Sequence, residues 1–152
     1  MTITLADLDD PEVQALIALH QQAMRQGSPP GHSFALDLSG LHDPAVTVWT
    51  AREAERVAGI GALKRHGGGQ AEVKSMRTHP DFLRLGIAAR LLEAIIDHAR
   101  GESITRLSLE TGSGPLFDPA LALYRKRGFA NGEAFGDFQL TEFNQCLHLR
   151  LD

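Results

Sequence analysis

The chain is poor in the residues that mark the more specialised protein classes. It has one cysteine, Cys146, in 152 residues, so it forms no internal disulfide and completes no thiolate metal site. Basic residues are in deficit: the formal net charge is −4, against the basic stripe usual in nucleic-acid binders. No apolar run approaches membrane-spanning length, and the N-terminus lacks the basic-then-apolar layout of a secretory signal. None of the seven histidines pairs with another at helical metal-ligand spacing backed by carboxylates, so no metal site is expected. What is present is 43% hydrophobic and 22% charged, which excludes disordered and fibrous classes and fits one soluble domain over residues 1–152, expected in the cytoplasm.

Periodicity orders the elements. Thr2–Leu5 alternates like a short edge strand. Asp10-Pro11 opens a helix, and Val13, Leu16, Ile17, His20, Ala23 and Met24 carry it to about Gln26. Gly27-Ser28-Pro29-Pro30-Gly31 ends it; residues 32–42 fit a short helix or a loop. Val46–Ala51, Val57–Lys64 and Ala71–Thr78 read as the strands of a meander, with Gly59 and Gly61 where backbones crowd. Ile87, Leu91, Leu92, Ile95 and Ile96 then recur at helical spacing to about Arg100. Ile104–Leu109 reads as a buried strand, and Pro119–Arg127 as a helix stopped by Gly128. Strand character returns from Phe129 and ends on the alternating Cys146–Leu151.

The stretch from His79 to Leu92 carries the most chemistry. A strand runs into a turn, and a helix begins at Gly86 with Ala88 two positions on. First-turn amides of a helix are unpaired and its dipole favours negative charge, so a pyrophosphate fits there if small side chains leave the backbone open. Gly86 and Ala88 supply that opening, with Ile87 and Ala89 completing the turn, and Arg84 adds a cation. The alternative is a plain strand–helix connection in which Gly86 relieves backbone strain.

Glu72-Val73-Lys74-Ser75-Met76-Arg77-Thr78 before this loop resembles the fourth strand of GNAT acetyltransferases, and Gly86-Ile87-Ala88 the end of their Arg/Gln-x-x-Gly-x-Gly/Ala signature. Further on, Leu123-Tyr124-Arg125-Lys126-Arg127-Gly128-Phe129 resembles the second family signature, and Leu107–Thr111 stands where the family's fifth strand lies. The resemblance covers roughly Ala45–Leu151. Two positions depart: the family's Arg/Gln falls on Leu83, with Arg84 next to it, and its asparagine before the last helix falls on Phe117. The resemblance implies a mixed α/β fold whose mostly antiparallel sheet is splayed between its fourth and fifth strands and flanked by helices. It also implies acetyl-CoA as co-substrate and transfer of its acetyl group to an amine by direct attack.

Carried over residue by residue, the resemblance implies cofactor contacts from Met76 and Thr78 on the fourth strand, from Leu83, Arg84, Gly86, Ile87, Ala88 and Ala89 in the loop and helix start, and from Phe117 and Tyr124. Tyr124, the one tyrosine, matches the residue that protonates the departing thiolate; a phenol near pKa 10 suits that task. Glu72 and Glu110 are candidates for the proton acceptor. Cys146 needs no nucleophilic role and reads as a buried thiol. The expected acceptor is a small-metabolite amine such as an amino acid or polyamine, with no nucleic-acid or membrane partner and a homodimer left open. The competing readings are a non-catalytic acyl-CoA-binding module of the same fold, a protein N-terminal or lysine acetyltransferase, and an unrelated α/β domain holding another phosphorylated ligand.

Overall fold

Turn and cap chemistry sets the elements in the computed structural model, which describes residues 1–152. The chain runs β1 (Thr2–Leu5), α1 (Pro11–Gly27), α2 (Leu38–Leu41), β2 (Val46–Glu53), β3 (Arg56–Gly67), β4 (Gln70–Thr78), α3 (Ile87–Gly101), β5 (Arg106–Thr111), α4 (Asp118–Arg127), β6 (Ala130–Gly132) and β7 (Gln145–Arg150). Asp10 caps α1 by accepting from the amide of Glu12 at 2.9 Å, and Gly128 ends α4 at φ 112°, a left-handed position suited to glycine. The seven strands form one sheet in the order β1-β2-β3-β4-β5-β7-β6. Every pairing is antiparallel except the parallel β4–β5 pair. The mixed, mostly antiparallel sheet expected from the sequence is therefore observed.

Each face of the sheet buries its own helices. On one, Val13, Leu16 and Ile17 of α1 pack on Val48, Val57, Ile60 and Ala62. On the other, Leu91, Leu92, Ile95 and Ile96 of α3 and Leu121 of α4 pack on Leu63, Val73, Leu107 and Leu109. Burying each such leucine or isoleucine contributes about 1.5–3 kcal/mol. Gly59 and Gly61 let α3 approach closely: a Cβ on Gly59 would lie 2.9 Å from Ile87, and one on Gly61 3.1 Å from Ile95.

Two features of β4 place the site. Its pairing with β5 covers only Gln70–Glu72 against Arg106–Ser108, so from Val73 onward the strands part and that edge of β4 has no strand partner. The β3–β4 register also shifts: Ala62 faces Lys74 and Ile60 faces Arg77, leaving Ser75 and Met76 opposite Gly61 alone. This is a β-bulge, with Ser75 at φ 56°. A bulge reverses side-chain alternation beyond it. Met76 accordingly packs against the α3-side core, and Arg77 joins Glu72 and Lys74 on the α1 side, where it meets His20.

The sequence overstated one element. Strand character was expected from Phe129 onward, but β6 is only three residues and residues 133–144 are irregular. Thr141 and Asn144 hydrogen-bond locally there, the Asn144 side chain accepting from the Thr141 amide at 2.7 Å, which competes with a strand ladder.

Candidate active site

The parting of β4 and β5 opens a cleft of about 640 Å³ that runs from the start of α3 to the loops over the α1 face. At one end Gly86 stands as the N-cap of α3 at φ 77°, and no side chain caps the helix. The first-turn amides of Ile87, Ala88 and Ala89 are therefore open to an anion. No atom lies within 4 Å of where a Gly86 Cβ would stand. Arg84 takes a left-handed φ of 64°, a conformation that costs a non-glycine residue energy and is tolerated where a loop shape is needed. Leu83 is 58% exposed at the cleft mouth. The loop is braced from beneath: the His79 ring accepts from the Asp81 amide at 3.0 Å, Asp81 pairs with Arg56 at 2.8 Å, and the Arg56 guanidinium lies over Phe82.

At the middle of the cleft, Met76 and Thr78 lie on the unpaired stretch of β4 and line the opening. Ser75 is buried, and its hydroxyl has no hydrogen-bond partner. Tyr124 reaches in from α4, buried with its ring edge-on to Phe129. Burial pushes its phenol well above the ordinary range, and the nearby Arg77 charge opposes that only in part. The ordinary phenol acidity expected from sequence is thus corrected: Tyr124 keeps its proton more tightly than a solvated tyrosine. Phe117 is 6% exposed and packs edge-on against Phe143; it lines the wall with its ring and has no polar atom to offer a ligand.

The far end is polar and enclosed by aromatic rings. Glu72 is 3% exposed, and both its oxygens are engaged: His66 Nε2 at 2.9 Å and Lys74 Nζ at 3.1 Å. Glu110, across the gap on β5, is half-buried and accepts one hydrogen bond, from Asn144 at 3.2 Å. Burial raises its carboxyl above the ordinary range, with the Asn144 hydrogen bond and Lys74 opposing. Two loops close over this end, with His32 edge-on to Phe143 and Phe34 edge-on to Phe138.

The structure thus brings Met76, Thr78, Gly86, Ile87, Ala88, Ala89, Tyr124, Glu72 and Glu110 to one cleft. Arg77, His20, Lys74, Ser75 and Asn144 belong to the same region, and the sequence assigned none of them a role in the site. Plain alternation from Glu72 puts Met76 on the same face as Lys74 and Arg77 on the other; only the bulge exchanges them. Of the basic run ending α4, Arg125 is bound to Asn131 and Gln145, and Arg127 to Glu93. Cys146 is 1% exposed, and its thiol is pushed up chiefly by burial, which makes it a poor nucleophile. No helix is long and apolar enough to cross a membrane.

Comparison with known proteins agrees with this geometry. The sequence pattern described as the acetyltransferase (GNAT) family matches residues 13–129. The chain is 46% identical over 150 residues to an uncharacterized N-acetyltransferase of Escherichia coli, covering 99% of this chain and 94% of that one. It is 42% identical over 138 residues to an uncharacterized N-acetyltransferase of Bacillus subtilis, covering 91% of each. A crystal structure assigned as an acyl-CoA N-acyltransferase from Klebsiella pneumoniae superposes with a TM-score of 0.83 at 28% identity, covering 99% of this chain and 97% of that one. The chain belongs to the GNAT acetyltransferase family. It is an acyltransferase whose co-substrate is acetyl-CoA.

Proposed function

We propose that this chain transfers the acetyl group of acetyl-CoA to the primary amine of a small metabolite, by direct attack within a ternary complex. One observation carries the reading: a single cleft joins an uncapped helix start, an unpaired strand edge and a half-buried carboxylate. Acetyl-CoA supplies an activated acyl group. The amides of Ile87, Ala88 and Ala89 would hold its pyrophosphate, as the open space at Gly86 favours. The unpartnered β4 edge at Met76 and Thr78 would pair with its extended arm, and a β4 amide near Met76 would meet the charge that develops on the carbonyl oxygen.

Glu110 is better suited than Glu72 to hold the amine and take its proton. Glu72 already balances Lys74 and His66, whereas Glu110 keeps an oxygen free and has a raised affinity for protons. Tyr124 would donate a hydrogen bond to the leaving sulfur. The departing thiolate is too weak a base to pull the proton from so weakly acidic a phenol, so Tyr124 stabilises the charge and solvent supplies the proton. The rings closing the far end favour a small acceptor over a folded protein.

The test is thiol release from acetyl-CoA against a panel of small amines, amino acids and N-terminal peptides. Turnover on small amines supports the reading. Turnover on peptides alone transfers the assignment to protein acetylation, and acetyl-CoA binding with no turnover on any acceptor assigns the chain as a binding module.

A further inference from the structure

Arg77 is the unusual cation of this molecule. Arg52, Arg56, Arg65, Arg106, Arg127 and Arg150 each lean on a carboxylate. Arg77 does not. Its Nε donates to His20 Nδ1 at 2.9 Å; the other group acting on it is Tyr124, and no acidic residue contributes. It is nevertheless half-buried, in the wall of the cleft. A guanidinium taken partly out of water without an anion is costly, and its two terminal nitrogens form a fork matched to a carboxylate. His20 cannot provide the missing charge: it is 7% exposed and pushed down to about 3 by burial and by the charges of Arg77 and Lys74. Its unprotonated Nδ1 fixes the Nε end of Arg77 and leaves the fork unengaged.

The placement of Arg77 gives its fork a use. The bulge at Ser75 and Met76 turns Arg77 onto the face that carries Glu72 and Lys74. Glu110 lies across the gap on the parted β5, close enough to Lys74 and Glu72 to be influenced by both. Lys74 is neutralised by Glu72, so the two side chains with unmet charge at the acceptor end are a cation on β4 and a carboxylate on β5. Around them stand the apolar groups of Met24, Phe34 and Phe143. Opposite charges walled in part by apolar groups complement a zwitterion that carries an apolar side chain.

We infer that the acceptor is a free α-amino acid with an apolar side chain, its carboxylate held by the Arg77 fork and its amine directed to Glu110. The inference rests on the acetyl-transfer reading above and narrows it. A polyamine has no carboxylate for Arg77. A peptide N-terminus has a neutral amide in that place, so it leaves the guanidinium unpaired.

The probes are L-phenylalanine, L-leucine and L-methionine beside their carboxamides, with putrescine and spermidine as amines lacking the group. Calorimetry on the CoA-bound protein measures binding, and thiol release measures turnover. The free acids are expected to exceed their amides by about 30-fold or more in affinity and in kcat/KM, the scale of a charge-assisted fork. Arg77→Gln brings the acid-to-amide ratio near one with the Kd for acetyl-CoA within about twofold, and Arg77→Lys restores part of the preference. The acid–amide comparison on the unmodified protein stands even if a variant misfolds. Equal handling of acids and amides overturns the inference, as does binding of none of the three acids, or an Arg77→Gln variant that loses acetyl-CoA while keeping the acid preference. Acids that bind by this pattern without being acetylated sink the acetyl-transfer reading for these acceptors and leave the carboxylate site standing. Turnover of polyamines with no amino-acid binding does the reverse.

Discussion

Tyr124 and Glu110 are asked to do opposite things with a proton, and burial adjusts each accordingly. Tyr124 is held protonated, so it remains a hydrogen-bond donor across the working range. Tyr124→Phe is expected to lower kcat by about 10- to 100-fold, the usual scale for one catalytic hydrogen bond, while calorimetry finds acetyl-CoA affinity unchanged. An unaltered kcat with chemistry rate-limiting assigns Tyr124 to packing. Glu110 must be ionised to accept the amine, and its proton affinity is raised. The acid limb of kcat/KM is therefore expected above the ordinary carboxylate range, with activity falling as pH drops through it. Glu110→Gln should flatten that limb and reduce kcat/KM by about 100-fold, within the range for a general base; a limb unmoved in the variant excludes Glu110 as its source. Of these two roles, the sequence pointed to that of Tyr124 through its resemblance to the family's Leu-Tyr-x-x-x-Gly-Phe signature. It offered no ranking of Glu72 over Glu110, because the engagement of Glu72 by His66 and Lys74 is a tertiary fact.

The elements meet the ligand through backbone, and α3 depends on one glycine. At φ 77° Gly86 occupies a region that costs an ordinary L-residue about 1–2 kcal/mol, and its missing side chain leaves open the space before the helix. Gly86→Asn, which tolerates that region, separates the two effects: the thermal midpoint should stay close to the parent's. Gly86→Glu should raise the Kd for acetyl-CoA about tenfold or more by steric and charge opposition to the phosphates, with circular dichroism confirming the fold. Unchanged affinity in a folded Gly86→Glu removes this helix start from the site. The loop and the helix that follows it were legible in sequence, since Gly86-Ile87-Ala88 and the Leu91, Leu92, Ile95, Ile96 stripe are local patterns. The bulge in β4 was not. Ser75 at positive φ carries no residue-type signal, and the register shift exists only against Gly61 of a neighbouring strand. The consequences for Met76 and Arg77 were hidden with it.

At the scale of the whole molecule, the charge network makes the fold sensitive to acid. His20 is depressed from 6.5 to about 3, so its contribution is present above 6.5 and is lost as pH falls toward 3, because the unfolded chain binds the proton first. Glu102, held at about 2 by its hydrogen bonds to Arg65, adds a contribution present above 4.5 and lost toward 2. Glu110, raised, works in the opposite direction and offsets part of the loss. Melting scans from pH 7 to 4 should show stability falling, and His20→Gln should lessen the slope between pH 6.5 and 4; an unchanged slope contradicts the assignment to His20. The architecture itself was readable in the order of periodic segments, whereas the parting of β4 from β5 followed from the family resemblance and from no periodicity. That parting makes the cleft, and amide hydrogen exchange with and without acetyl-CoA tests it most directly. The amides of residues 73–78 and 87–89 should gain protection together on adding acetyl-CoA, while those of residues 46–53 on the far side of the sheet stay as they were. Protection that leaves residues 73–78 and 87–89 untouched, with acetyl-CoA demonstrably bound, would contradict it.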